Sequence, residues 1–186
     1  PFTFAPGDTQ VVVGAIIIGQ GSDRLSSISA LKFFDTFAQD AFDKDFDLSP
    51  PPPNPQVHVT ELDRKVILSW DSGAESFSER GYTFEGYNVY QGESIVGPWH
   101  LLETFDMVNN IQIIFDEEFD REVGVVIEKP IQTGSDVGLS QFIELERDRL
   151  KDTPLINGKR YYLAVTAYAF GEPTRPKTLE SPRNSC

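Results

Sequence analysis

The sequence predicts a mainly β protein: an antiparallel Greek-key β-sandwich preceded by a β-hairpin plus one α-helix. Three observations carry that expectation. From residue 56 onward apolar residues alternate with polar ones in short runs separated by turn-rich stretches, the period of strands packed on one side. After residue 56 no strong helical rhythm appears, and many short strands without helices close as an antiparallel sandwich. Before the proline run SPPPPNP (49–55), residues 22–46 instead repeat their apolar positions at the spacing of a helix face.

The elements follow in order. FTFAPGDTQVVVGAIIIGQ (2–20) reads as strand, Pro-Gly-Asp turn and strand. Within it VVVGAIII (11–18) is far too short to span a bilayer and reads as a buried strand. In the next segment Leu25, Ile28, Leu31, Phe34, Phe37, Ala38, Ala41 and Phe42 give a helical rhythm, with Ser22 or Asp23 as its N-cap. DAFDKDFD (40–47) is its fraying, soluble end. Two strands and one helix are too little to close a core, so residues 1–48 are expected to be a partial or accessory unit. The prolines of 49–55 cannot continue a helix and favour a semi-rigid spacer. Beyond them lies the sandwich region, 56–186. Val57 and Val59 share one face of its first strand (56–62), and Val66, Leu68 and Trp70 share one face of the second (65–70). Further strand-like segments fall at 84–91, 99–105, 111–115, 123–129, 139–146 and 160–170.

Charge limits function. With 29 acidic against 16 basic residues the net charge is −13, which opposes binding to nucleic-acid phosphates and to anionic lipid. No nucleic acid and no membrane insertion are expected. Cys186 is the single cysteine, so neither an internal disulfide nor a cysteine metal cluster can form. The chain begins PFTFAPGDTQ, without Met or a signal-peptide pattern, and reads as a fragment or a processed chain.

Three separated motifs carry a family resemblance. VILSWD (66–71) follows the prolines as a second strand ending in tryptophan, FEGYNVY (84–90) is a third strand, and PLINGKRYYLAVTAYAFGE (154–172) is a turn and sixth strand. In these motifs residues 50–181 resemble a fibronectin type III domain. The resemblance implies that Trp70 is a core landmark and that Tyr161 bonds back to its preceding loop as a tyrosine corner. Region 106–150 is longer than the family usually allows. The whole chain, including APGDTQ, GQGSDRLSS and TLESP (178–182), also resembles segments of large secreted multidomain proteins of environmental bacteria, which implies an extracellular or cell-surface location.

Candidate chemistry is sparse. His58 and His100 are the only histidines, and no motif supplies partners for a triad or a metal site. Gly14, Gly19 and Gly21 do not form a nucleotide-binding glycine pattern. DEEFD (116–120) places Asp116, Glu118 and Asp120 at alternate positions, where an extended loop would turn three carboxylates to one side and hold calcium, with Asp71 or Asp106 as a fourth ligand. Tyr82, Tyr90, Trp99 and Tyr168 are candidates for a surface aromatic platform, the device sugar-binding sandwiches use.

The expectation is a noncatalytic extracellular structural or protein-association module of a larger secreted or surface protein. Its partners are other protein domains or copies of itself, met through its N-terminal strands. The competing expectation is a carbohydrate-binding or adhesion module attached to a secreted enzyme, with polysaccharide as ligand.

Overall fold

The computed structural model describes residues 5–184 and is mainly β, with antiparallel sheets and one α-helix. The helix, α1 (Arg24–Asp43), is followed by β1 (Val57–Leu62), β2 (Lys65–Trp70), β3 (Ser78–Glu79), β4 (Tyr82–Gly92), β5 (Trp99–Asp106), β6 (Ile113–Asp120) and β7 (Val125–Thr133). The remaining strands are β8 (Phe142–Leu145), β9 (Arg147–Asp148), β10 (Thr153–Pro154), β11 (Tyr162–Phe170) and β12 (Thr178–Glu180).

Two compact units emerge. One gathers the N-terminal segment up to Asp47 with Glu118–Ile127; the other gathers Leu48–Glu117 with Glu128 to the C-terminus. The second unit holds the sandwich. One of its sheets runs β1-β2-β8; the other runs β12-β11-β4, with β5 and the short β3 sharing the far edge of β4. β6 and β7 pair with each other.

Alternation works as expected in the sandwich. Leu68 and Trp70 of β2, Phe84, Tyr87 and Val89 of β4, Leu145 of β8, and Leu163, Val165 and Ala167 of β11 are buried together in one cluster. Trp70 is its largest member, 5% exposed, with its ring 5.7 Å from that of Tyr87 and 5.9 Å from that of Phe105. Tyr161 is only half-buried, and its hydroxyl accepts the Ile156 N–H at 3.0 Å. The hydroxyl has to reach the surface loop 154–160, so the ring stands at the rim of the core. The prolines do not stand clear as a spacer: Pro52 and Pro55 are buried, and the run belongs to the sandwich unit.

The N-terminal segment departs from expectation. The Pro6–Gly7 turn forms, with Asp8 N–H donating to Ala5 O, but residues 9–21 make no strand. The first proposed strand lies largely outside the described residues. A strand needs a neighbour for its backbone N–H and C=O groups, and residues 9–20 hydrogen-bond to no other described residue. The helix forms where expected, and Asp23 is its N-cap: its carboxylate accepts the Ser26 N–H at 2.8 Å while Ser26 Oγ accepts the Asp23 N–H at 2.8 Å.

Trp70→Ala is expected to cost about 3–5 kcal/mol through the cavity it leaves. Denaturant unfolding followed by circular dichroism measures this, and a loss below about 1 kcal/mol would remove Trp70 from the core.

Candidate functional site

The two broad faces of the sheet formed by β5, β4 and β11 have different fates. One packs into the apolar core; the other would be solvent-facing in a plain sandwich and carries Glu85, Asn88, Thr104, Asp106 and Thr166. All five are buried. They are covered because the enlarged region between β5 and β8 folds back over this face as a third layer, bringing Ile114 of β6, Gln132 of β7 and residues 134–136 onto it.

Burying polar groups is tolerable only when they are paired, and most of these are. Asn88 Nδ2 donates to Gln132 Oε1 at 3.1 Å and to Glu180 Oε1 at 3.3 Å, while its Oδ1 accepts from Thr104 Oγ1 and Gln132 Nε2. Glu180 Oε1 also accepts the Tyr90 and Thr166 hydroxyls, each at 2.6 Å. The Arg183 guanidinium stacks 4.3 Å from the Tyr90 ring centre and donates to Glu180 Oε2.

At the other end, three carboxylates hold the covering loop. Glu85 accepts Asn109 Nδ2 on both oxygens, Asp106 Oδ1 accepts the Ser135 and Asp136 N–H groups, and Asp136 Oδ1 accepts the Asn109 and Asn110 N–H groups. Gly134 is required here, since a Cβ on it would fall 1.7 Å from Asp106 Oδ2. Burial pushes the Glu85 carboxyl above the usual range, against the Asn109 hydrogen bond, and the charges of Asp106 and Asp136 push it further. Burial likewise raises the Tyr168 hydroxyl, helped by the charges of Asp106 and Glu85.

The structure rearranges the residues singled out from sequence. Asp116, Glu118 and Asp120 lie in β6, not in a loop. Asp116 Oδ2 accepts the Lys177 N–H at 2.8 Å, and Asp120 Oδ1 accepts the Glu122 and Val123 N–H groups that close the β6–β7 turn. Among the described residues no group of three or more His, Cys, Asp or Glu is arranged to hold a metal ion. The expected calcium cluster is therefore not assembled: two of its three carboxylates serve backbone amides. Asp71 is likewise engaged, its Oδ1 accepting the Gln56 N–H at 3.2 Å.

Nor do the four aromatic residues gather as a surface platform. Tyr82, Tyr90 and Tyr168 are buried and Trp99 is half-buried against Gly92 and Gly97. Tyr90 and Tyr168 take up the outer face of the sheet, as the sequence suggested, but the third layer closes over it. Tyr82 donates its hydroxyl to Pro176 O. His58 and His100 are exposed on strands of different sheets, with His100 Nε2 3.2 Å from Glu93 Oε1.

The N-terminal unit is the opposite of a finished core. Its helix buries only Ser26 and Ala30, leaving Leu25, Ile28, Leu31, Phe34 and Phe42 exposed. Residues 9–21, here called the arm, expose Val12 at 83%, Ile16 at 96% and Ile18 at 84%. Val123 in the β6–β7 turn and Val125 and Val126 at the start of β7, all within this unit, are exposed too. The sequence flagged the arm and helix as needing cover; the polar third layer it did not foresee. Its signal was the set of short polar residues interleaved with Tyr90 and Tyr168 on a face where long charged side chains are the usual choice.

Because the Glu85 carboxyl is raised in the folded state, its contribution to stability is present below its unfolded value near pH ~4.3 and is lost as pH rises through the folded value. Glu85→Gln, which keeps an acceptor for Asn109, is expected to raise the melting temperature at neutral pH and to leave it unchanged at pH ~4. Melting curves at both pH values check this; an equal shift at both would detach the effect from Glu85 ionisation. No protein family matches the chain, and neither a curated protein nor a solved structure does.

Proposed function

We propose that the chain is a noncatalytic structural and protein-association module of a larger secreted or surface protein. In this reading a fibronectin type III-like sandwich is the rigid scaffold and the N-terminal unit is the surface that meets other protein domains or copies of the chain. The observation that carries it is the contrast between the units. The sandwich unit closes an apolar core on one side of its β4–β11 ladder and a polar seam on the other, while the N-terminal unit leaves its helix stripe and arm bare. Bare apolar surface concentrated in one place marks an interaction site. The type III likeness is supported by the buried Trp70 and by the Tyr161 hydroxyl bonded back to Ile156. The net charge of −13 favours a protein partner over nucleic acid or anionic lipid. The carbohydrate reading has lost its platform, because three of its four aromatic residues are buried.

The test joins sedimentation velocity to amide hydrogen exchange on the 186-residue chain. Supporting outcomes are association through the N-terminal unit, or a monomer in which residues 9–43 exchange far faster than β4 and β11. A chain that is monomeric at every concentration, with α1 as protected as the sandwich, overturns the reading, because the helix stripe would then be satisfied within the chain. Retention on polysaccharide would overturn it in favour of sugar binding.

A further inference from the structure

A single asparagine ties together two turns of the sandwich unit. The hairpin turn between β1 and β2 carries Asp63 and Arg64, and the loop before β11 carries Asn157 and Gly158. Asn157 Nδ2 donates to Asp63 Oδ1 at 2.8 Å, and Asn157 Oδ1 accepts the Arg64 N–H at 2.8 Å. One end of the amide faces a carboxylate and the other an N–H, so its orientation is fixed by its partners. Arg64 has φ 50°, a left-handed conformation that is uncommon for a residue with a side chain, and the bond to its N–H steadies that turn. With Val59 and Val66 from one sheet and Leu163 from the other, the two turns line an open groove of about 850 Å³.

Asn157 is also the only asparagine of the chain that is followed by glycine. The Lys159 N–H donates to Ile156 O at 3.2 Å and closes a turn with Asn157 and Gly158 at its centre. Gly158 has φ 76°, which glycine takes freely and which the third position of such a turn requires. Both residues are exposed, and a Cβ on Gly158 would stand in open space. Without a side chain of its own, the Gly158 nitrogen is the backbone amide in the chain best placed sterically to attack a preceding asparagine.

We propose that Asn157 is a self-modification site, whose deamidation unfastens the two turns. The Gly158 N–H gives its proton to a solvent base, and the nitrogen attacks Asn157 Cγ. As the new N–Cγ bond closes a succinimide, the Cγ–Nδ2 bond breaks and Nδ2 takes a proton from water to leave as ammonia. One further water opens the ring at either carbonyl and leaves an aspartate or an isoaspartate. Water is the sole co-reactant.

The product cannot keep the tie. The Nδ2–H donor is gone, and a carboxylate stands where it met Asp63, so two like charges at hydrogen-bond distance drive the turns apart. The isoaspartate also adds a backbone carbon to the turn. The tie in its own right sets the rate, because a side chain held at both amide atoms is not free to rotate Cγ onto the Gly158 nitrogen.

The experiment ages the 186-residue chain at mildly alkaline pH and follows amide loss by peptide mass spectrometry. Conversion is expected at Asn157 ahead of Asn88, Asn109 and Asn110, with isoaspartate among the products and a rate that rises with pH. Asp63→Ala is expected to speed it roughly tenfold, the factor that losing one hydrogen bond to a charged group releases. Asn157→Asp, the stable product, is expected to raise amide exchange over residues 61–65 and 156–160 and to leave β4 as protected as before. An Asn157 that stays intact while the other asparagines convert overturns the modification site. An unchanged rate in Asp63→Ala, or unchanged exchange of the two turns in Asn157→Asp, overturns the coupling between the site and the tie.

Discussion

The structure depends on one ladder, the antiparallel pairing of β4 with β11, in which nine residue pairs run from Tyr162 opposite Gly92 to Phe170 opposite Thr83. Both faces of this ladder are buried, and a strand pair buried on both faces is normally apolar throughout. Here the two faces are solved differently. The core face uses Phe84, Tyr87, Val89, Leu163, Val165 and Ala167. The outer face uses Asn88, Tyr90, Thr166 and Tyr168, and so requires that hydrogen-bond partners be delivered from outside the sheet. That requirement explains the enlarged region. Gln132, Ser135, Asn109 and Glu180 are the partners, and β6 with β7 is the frame that delivers the first of them.

A seam of this kind adds little net stability for each bond it makes, because each bond replaces one to water. Its effect is on uniqueness. An apolar cover could slide over the sheet by a residue at small cost, while a cover whose amides must meet the Asn88 and Asp106 side chains fits in one position. The exception inside the seam is Asp106, whose Oδ2 has no hydrogen-bond partner while Oδ1 takes two N–H groups and a hydroxyl. With the Glu85 and Asp136 carboxylates close by and no cation among these partners, negative charge is what limits this end of the seam. The Glu85 carboxyl is raised first by its burial, and the Asp106 and Asp136 charges add to that rise.

Legibility in the sequence followed the number of burial environments a segment meets. β1, β2, β4, β5 and β11 each carry an apolar face and a polar one, whether or not the polar face is covered, so alternation located them to within two residues at each end. The same rule misled at Tyr90 and Tyr168, because alternation reports which face a residue takes and not whether something covers that face. DEEFD was read as a loop since acidic residues are poor strand formers. It became β6 because β7 supplies a neighbour, and its carboxylates then bonded to nearby backbone amides instead of converging on an ion. The arm failed in the other direction. VVVGAIII has every local property of a strand, yet a strand is defined by its neighbour, and among the described residues it has none.

The distribution of charge bears on how an unpaired apolar arm can coexist with a folded sandwich. Open strand edges attract extended segments, and proteins protect them with charges. This chain concentrates acidic residues at its edges and turns: Glu61 and Asp63 beside β1, Asp116 to Glu122 along β6 and its turn, Glu144 and Glu146 at β8. Lysines and arginines sit among them, and Lys65 bridges Glu144 and Glu146 at 2.8 and 2.9 Å, so the repulsion is not uniform. At β6, where carboxylates alternate along the strand, an arm laid alongside would have to strip water from them without offering a cation. The apolar arm is thus disfavoured at the edge nearest to it in chemical kind, a two-stranded ribbon, by the same residues that first suggested a calcium loop. In that role DEEFD acts through the cost of desolvating its charges.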